Sequence, residues 1–257
     1  MTLLEFKRSG DVFAQRAPRW KRWMDVSGSA LLILAASPLL VATALYIKAV
    51  SRGPVFFKQK RIGLGGREFT MWKFRTMHEH NRSDRHREYM AQLIHSGNGE
   101  SVPMVKLDEN NPAIIPLGVF LRKSCIDELP QLFNVLWGEM SLVGPRPVIP
   151  YEVNEYDVWH FGRFDVLPGL TGLWQVRGKN SLSFKEMIRL DVRYARSISP
   201  TLDLEIMLRT PMVIVGQLTG RADSNAQIAS IDDGGMDRAA TVVSTTARSA
   251  ESTARAR

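Results

Sequence analysis

The sequence predicts a mixed α/β, helix-rich fold carried on a membrane-inserted helical segment. Three observations predict it. An uncharged apolar run, Val26–Ile47, is interrupted by Ser37-Pro38. A strand-like stretch, Val55–Met77, folds about a glycine cluster. From Leu117 to Leu218 the apolar residues recur mostly at helical spacing, in short segments divided by glycine and proline.

The apolar run is 22 residues long. A straight helix of that length reaches about 33 Å and matches the hydrocarbon core of a bilayer. Pro38 lacks a backbone donor and crowds the preceding turn, and Ser37 can bond a freed carbonyl, so a kink is expected at the midpoint. Lys7, Arg8, Arg16, Arg19, Lys21 and Arg22 precede the run. Lys48, Arg52, Lys58, Lys60, Arg61, Arg67, Lys73 and Arg75 follow it, with Glu68 as the only acid in that stretch. Basic flanks favour the cytoplasmic side, and here both flanks ask for it. A re-entrant helix–break–helix hairpin bent at Ser37 and Pro38 satisfies both. A kinked single span is the alternative, and hydropathy alone does not separate the two. The distance of the run from Met1 and the lack of a small-residue cleavage site argue against a signal peptide. Trp20 and Trp23 suit an interfacial belt.

A net charge of +8 and a pI of 9.8 admit nucleic acid or an anionic membrane surface as partners. The apolar run favours the membrane, and no reading helix or stacking platform supports nucleic acid. Cys125 is the one cysteine, so no internal disulfide forms, and the expectation is a buried structural thiol. The basic residues Lys58, Lys60 and Arg61 read as surface or lipid-headgroup charges.

The chain divides into a flexible lead-in at 1–18, the membrane element at 19–50, a catalytic-sized domain at 51–220 and a disordered tail at 221–257, which holds no aromatic residue. Within the domain a β-hairpin is expected over 55–77, turning at Gly63–Gly66. A solvated helix is expected over 78–98, with a loop to 111. Helical stretches at 117–126 and 127–137 would meet at Asp127-Glu128, placing both carboxylates at a helix N-terminus, with Pro130 in the first turn. A rigid turn follows at Gly144-Pro145-Arg146-Pro147. Tyr151–Phe161 reads as helix, Leu167–Gly178 as loop or strand, and Phe184–Arg196 as an amphipathic helix. Leu202–Leu218 reads as an apolar helix interrupted by Pro211 that packs on the domain or lies on the membrane.

The adjacent carboxylates of Asp127 and Glu128 read plainly as a cap, Asp at the N-cap and Glu in the first turn. Their setting points elsewhere. Arg122 lies just upstream, Arg146 is held between two prolines, and Lys73 and Arg75 stand on the second hairpin strand. Cations converging on two carboxylates suit a diphosphate with Mg²⁺. One carboxylate would then hold the metal and the other attack phosphorus.

These motifs occur in one order: the broken apolar run, Lys73-Phe74-Arg75-Thr76-Met77, Asp127-Glu128-Leu129-Pro130-Gln131-Leu132, Gly144-Pro145-Arg146-Pro147 and Pro168-Gly169-Leu170-Thr171-Gly172-Leu173-Trp174-Gln175-Val176. The ordered set resembles the bacterial sugar transferase family, monotopic polyprenol-phosphate phosphoglycosyl transferases that begin exopolysaccharide assembly. The resemblance covers about Trp20 to Leu218. It implies transfer of a sugar-1-phosphate from a UDP-sugar, UDP-galactose or UDP-glucose by a weak lean, to undecaprenyl phosphate, with release of UMP. It implies Asp127 as the nucleophile of a covalent phosphosugar intermediate. Glu128, beside Asp127, would be the Mg²⁺ ligand. Arg122 and Arg146 would contact the donor, and Lys73 and Arg75 would support the phosphate site.

It also implies the bend at Ser37 and Pro38, membrane lipids as partners, and a place on the cytoplasmic face of the bacterial inner membrane. A homodimer is admitted. The chain resembles the short form of the family, and 80–105 reads as an insertion. The competing expectation is a non-catalytic, membrane-anchored scaffold whose basic face binds anionic lipid.

Overall fold

The computed structural model describes residues 17–78, 113–178 and 182–219. The expected lead-in and tail, the body of the helix over 78–98 and the loop to 111 lie outside the described residues.

Helix α1, Arg19–Val50, contains the apolar run and is the one helix among the described residues long and apolar enough to cross a membrane. Pro38 stands inside it. Proline leaves the carbonyl four residues back without its amide partner, and Ser37 Oγ donates to that carbonyl, Leu34 O, at 2.8 Å. Burial along α1 is confined to its two ends. Lys21, Asp25 and Ser29 are buried at one end and Thr43 and Ile47 at the other, each set at the four-residue spacing of one helical face. No residue between them is buried.

The N-terminal end is fixed by buried polar bonds. Lys21 Nζ donates to Val143 O (2.9 Å), Tyr194 Oη (3.0 Å) and Asp203 Oδ2 (2.6 Å). Asp25 Oδ1 accepts from Ser141 Oγ and Leu142 N, both at 2.9 Å. Arg22 donates to Val135 O and Leu136 O, satisfying carbonyls at the end of helix α3, Gln131–Trp137. The other end packs Ile47 with Phe74 and Ile115, and Tyr46 Oη donates to Pro116 O at 2.7 Å.

The expected hairpin is present as antiparallel β1, Phe56–Ile62, and β2, Glu68–Phe74. Gly65 and Gly66 have φ of 60° and 73°, a conformation that favours glycine and explains the cluster as a turn. A two-stranded sheet leaves edges open. Asn134 of α3, fully buried, closes the β2 edge: its Oδ1 accepts from Trp72 N (3.1 Å) and its Nδ2 donates to Thr70 O (2.8 Å).

Around the carboxylate pair the structure differs from the expected two helices. Helix α2 is Gly118–Lys123, a separate 3₁₀ turn spans Ile126–Glu128, and α3 begins only at Gln131. The N-cap positions are Cys125 and Pro130, with no side-chain cap bond at either, so Asp127 is not an N-cap. Cys125 adopts φ 58°, which ends α2 abruptly and reverses the chain. Its side chain is half-buried, not the fully buried thiol expected.

Strand β3, Ser141–Val143, pairs in parallel with β4, Gly169–Thr171. Three-residue strands carry no readable alternation, so the sequence showed a turn at the first and left loop or strand open at the second, where β4 forms. The pairing brings Gly144 and Gly169 together so closely that a Cβ on either would strike the backbone of the other segment. The expected helix over 151–161 is instead a short helix α4, Pro150–Val153, and a 3₁₀ segment, Val158–Asp165. The expected loop ends in helix α5, Leu173–Gly178. Helix α6, Phe184–Arg196, matches its expected bounds and opens on a capping box between Ser183 and Glu186. Helix α7, Pro200–Thr219, runs through Pro211 without interruption. One side of α7 buries Asp203 and Ile206 on the domain. Leu204, Leu208, Met212 and Val215 remain exposed.

The 3₁₀ segment contains a buried histidine whose hydrogen bonding favours the neutral ring. His160 Nδ1 accepts from Asp157 N at 2.9 Å, which requires an unprotonated nitrogen. Burial holds its pKa below the ordinary 6.5. The unfolded chain therefore takes up the proton first, and the stability this site contributes is present above pH 6.5 and lost as pH falls through the lower folded value. Thermal unfolding measured from pH 7.5 to 5.5 is expected to show a shallower pH dependence for His160→Gln than for the wild type. An equal slope would remove His160 from the account.

Candidate active site

The site is built where β2 passes the 3₁₀ turn. Lys73 shares the face of β2 that buries Phe69 and Met71, and its Nζ meets Glu128 Oε1 at 2.7 Å. The pair is partly open to solvent, at 20 % and 30 % exposure. Its bond therefore orients the side chains more than it stabilises the fold. Asp127, adjacent on the turn, is 7 % exposed. Arg122 leaves the last turn of α2 and its Nη1 approaches Thr76 Oγ1 at 3.4 Å, just past the end of β2. Lys73, Arg122 and the two carboxylates thus come from three chain segments joined at β2.

Arg146 enters from the Gly144–Pro147 turn after β3. The guanidinium of Arg61 lies close enough to feel both the Arg146 and the Glu128 charges, which ties this turn to the carboxylate pair. Arg75 takes another direction. It is buried, with Nη1 donating to Arg52 O (2.7 Å) and Nη2 to Ser51 O (3.1 Å), and so fixes the chain leaving α1. Ser37 and Pro38 lie within α1, outside this cluster.

The sequence reading missed Arg61. Of the three cations read as surface charges, Lys58 and Lys60 are exposed, whereas Arg61 is 5 % exposed. Its Nη1 donates to Pro147 O (3.0 Å) and its Nη2 to Gln59 Oε1 (2.7 Å). Burial, then the neighbouring Arg146, bring its pKa down to about 10, with Glu152 opposing. The alternation of β1 was the available signal: Gln59 and Arg61 share one face, Lys58 and Lys60 the other. Asn134, Glu152, Arg163 and Asp191 were missed as well, since a polar residue reads as solvent-facing by its type even where, as for Asn134 in α3 and Asp191 in α6, the helix turns it inward.

A divalent cation fits this donor set in one respect. Mg²⁺ is commonly held by one or two carboxylates, with water and substrate phosphate completing the shell. Asp127 and Glu128 supply two carboxylates on one turn. Among the described residues no group of three or more His, Cys, Asp and Glu side chains gathers to form an all-protein cage.

An adjacent carboxylate pair, one member of it bonded to Lys73, stands with Arg122 near the end of β2. The chain belongs to the bacterial sugar transferase family, whose model matches residues 16–217. Relatives are similar over most of the chain. The exopolysaccharide production protein ExoY of Rhizobium meliloti is 38% identical over 190 residues, covering 74% of this chain and 83% of ExoY. The galactosyl transferase CpsE of Streptococcus agalactiae is 38% identical over 196 residues, 76% of this chain and 42% of CpsE. The UDP-glucose:undecaprenyl-phosphate glucose-1-phosphate transferase of Xanthomonas campestris is 38% identical over 207 residues, 77% of this chain and 39% of that protein. This chain therefore spans about two-fifths of the last two relatives and most of ExoY.

Proposed function

We propose that the protein transfers a sugar-1-phosphate from a UDP-sugar, UDP-glucose or UDP-galactose, to undecaprenyl phosphate, releasing UMP and beginning exopolysaccharide synthesis. The observation that carries this reading is the junction of Asp127-Glu128 with Lys73 and Arg122 at the end of β2. The printed names of relatives support the substrates: one is a glucose-1-phosphate transferase to undecaprenyl phosphate, and another, of Salmonella typhimurium, is an undecaprenyl-phosphate galactose phosphotransferase.

In this reading a carboxylate oxygen of Asp127 attacks the sugar-bearing phosphorus. The bond from that phosphorus to the bridging oxygen breaks, and UMP leaves with the oxygen. A phosphate oxygen of undecaprenyl phosphate then attacks the same phosphorus and returns Asp127 as carboxylate. Two displacements at one phosphorus let a soluble donor depart before a lipid acceptor arrives. Lys73, Arg122 and Arg146 stabilise charge that spreads over the phosphoryl oxygens, the main demand of such a transfer. Glu128, with Asp127, would hold Mg²⁺, which supplies charge neutralisation at the diphosphate when bound. Arg75 serves by fixing the chain between α1 and the hairpin. With the N-cap positions at Cys125 and Pro130, the scaffold reading loses the capping role it gave to the carboxylate pair.

Purified protein given undecaprenyl phosphate and a panel of UDP-sugars is expected to release UMP with one or two of them, to stop with EDTA and to resume with Mg²⁺. No UMP from any donor would sink the reading, and full turnover in EDTA would remove the metal from it.

We also infer that α1 re-enters the membrane face it came from, bending near Ser37 and Pro38. A straight helix would put Arg22 and Ile47 about 38 Å apart. Both ends dock on one small domain. Arg22 bonds to Val135 and Leu136, and Ile47 clusters with Phe74. Asn134 bridges these places, bonding to Thr70 and Trp72 two residues from Phe74, or about 7 Å of strand. The unburied middle of α1 is then the part that enters lipid, which makes the protein monotopic on the cytoplasmic face. Single cysteines placed near Ser9 and near Gly65, the latter at the exposed Arg67, in a Cys125→Ser background are expected to react with an impermeant thiol reagent from the same side. Labelling from opposite sides would establish a span.

A further inference from the structure

The turn that presents Arg146 is held by its main chain at every residue. Gly144 N donates to Thr171 O (2.9 Å), and Pro145 O accepts from Gly169 N (2.8 Å). Arg146 O accepts from Arg163 Nη2 (3.0 Å), and Pro147 O accepts from Arg61 Nη1 (3.0 Å). Two of these four clamps are therefore buried guanidiniums, from residues 5 % and 3 % exposed. A backbone amide would hold a carbonyl at far lower desolvation cost.

The cost is offset by counter-charges. Arg163 Nη2 also bonds Asp191 Oδ2 at 2.5 Å, and its Nη1 donates to Tyr156 Oη at 2.8 Å. Asp191 is fully buried, and Glu152, 9 % exposed, lies within the fields of Arg61, Arg146 and Arg163. Three guanidiniums face Glu152 and Asp191, whose carboxyls burial pushes up, Asp191 to about 7; Glu128, also in the field of Arg61, is paired with Lys73. A phosphate at Arg146 would add negative charge to this group.

We propose that Arg61 and Arg163, with Glu152 and Asp191 as their counter-charges, are positioning residues that hold Arg146 in register for a phosphate of the nucleoside-diphosphate donor. This rests on the reading above that Arg146 contacts the donor. The residues act through Arg146 and touch no substrate themselves. Rigid presentation matters because a displacement of about 1 Å at a reacting centre can cost on the order of a hundredfold in rate.

The test is a double-mutant cycle on the full-length protein, with UMP release measured against UDP-sugar and against undecaprenyl phosphate. Arg61→Lys keeps the charge and loses the guanidinium geometry. It is expected to lower kcat/KM for the donor roughly tenfold, leaving KM for undecaprenyl phosphate unchanged. In an Arg146→Gln background the same change is expected to cost less than about twofold, because residues acting through one another are not additive. Asp191→Asn, a near-isosteric second probe, is expected to show the same dependence on Arg146. An undiminished effect of Arg61→Lys without Arg146, no effect in the wild-type background, or equal losses toward both substrates would overturn the proposal. If Arg146→Gln alone leaves donor kcat/KM intact, the assignment of Arg146 to the donor fails instead.

Discussion

Asp127→Asn is expected to lower UMP release by more than about a thousandfold, with the protein still folded and membrane-bound. Asparagine matches aspartate in shape, so the turn at Ile126–Glu128 and its neighbours are kept. What is lost is the negative oxygen that attacks phosphorus and can later leave. A general electrostatic role would not show so steep a loss, because Glu128 and its Lys73 partner remain. Near-wild-type activity in Asp127→Asn would remove the nucleophile from the account. A loss matched by unfolding in a thermal melt would assign Asp127 to the scaffold.

Lys21→Met is expected to destabilise the protein by about 3–5 kcal/mol, the range for breaking a buried ion pair from one side. In a chain of this size that lowers the midpoint of unfolding by roughly 10 °C. Lys21 and Asp203 are 1 % and 0 % exposed, and the ammonium spends its three donors on Asp203, Tyr194 and Val143. Tyr194 Oη also donates to Asp203 Oδ1 at 2.7 Å. Methionine fills the space of the lysine stem but leaves a buried carboxylate with its charge uncompensated. Lys21→Met with Asp203→Leu removes both charges and is expected to recover a large part of the loss. The consequence reaches function, because this node joins the start of α1 to β3 and α7. A neutral Lys21→Met melt in detergent would show that α1 is held by its other contacts, among them the Arg22 and Asp25 bonds, and not by the Lys21 node.

The legibility of this chain follows from where its patterns are periodic. Helix α6 was readable to the residue because its apolar face repeats and Ser183 and Glu186 mark its start. The hairpin was readable because β1 and β2 flank a glycine turn. The carboxylate pair was readable as chemistry but not as geometry. Cys125 at positive φ divides what looked like two abutting helices, and a half-buried cysteine in that conformation has no sequence signal. The β3–β4 pair was hidden by its shortness, and its closest trace was the glycines at 144 and 169. Buried charges were the hardest to foresee. Lys21 read as part of a basic flank and Arg61 as a surface cation. In the fold one closes a salt bridge and the other clamps the Arg146 turn.

The central claim is that Asp127 carries the sugar phosphate between donor and acceptor. It is tested most directly by intact-protein and peptide mass spectrometry after rapid quenching of the enzyme with UDP-sugar alone. The account predicts an added hexose phosphate on the peptide containing Asp127, absent in Asp127→Asn and discharged by undecaprenyl phosphate. Full turnover with no adduct, or an adduct on another residue, would contradict it.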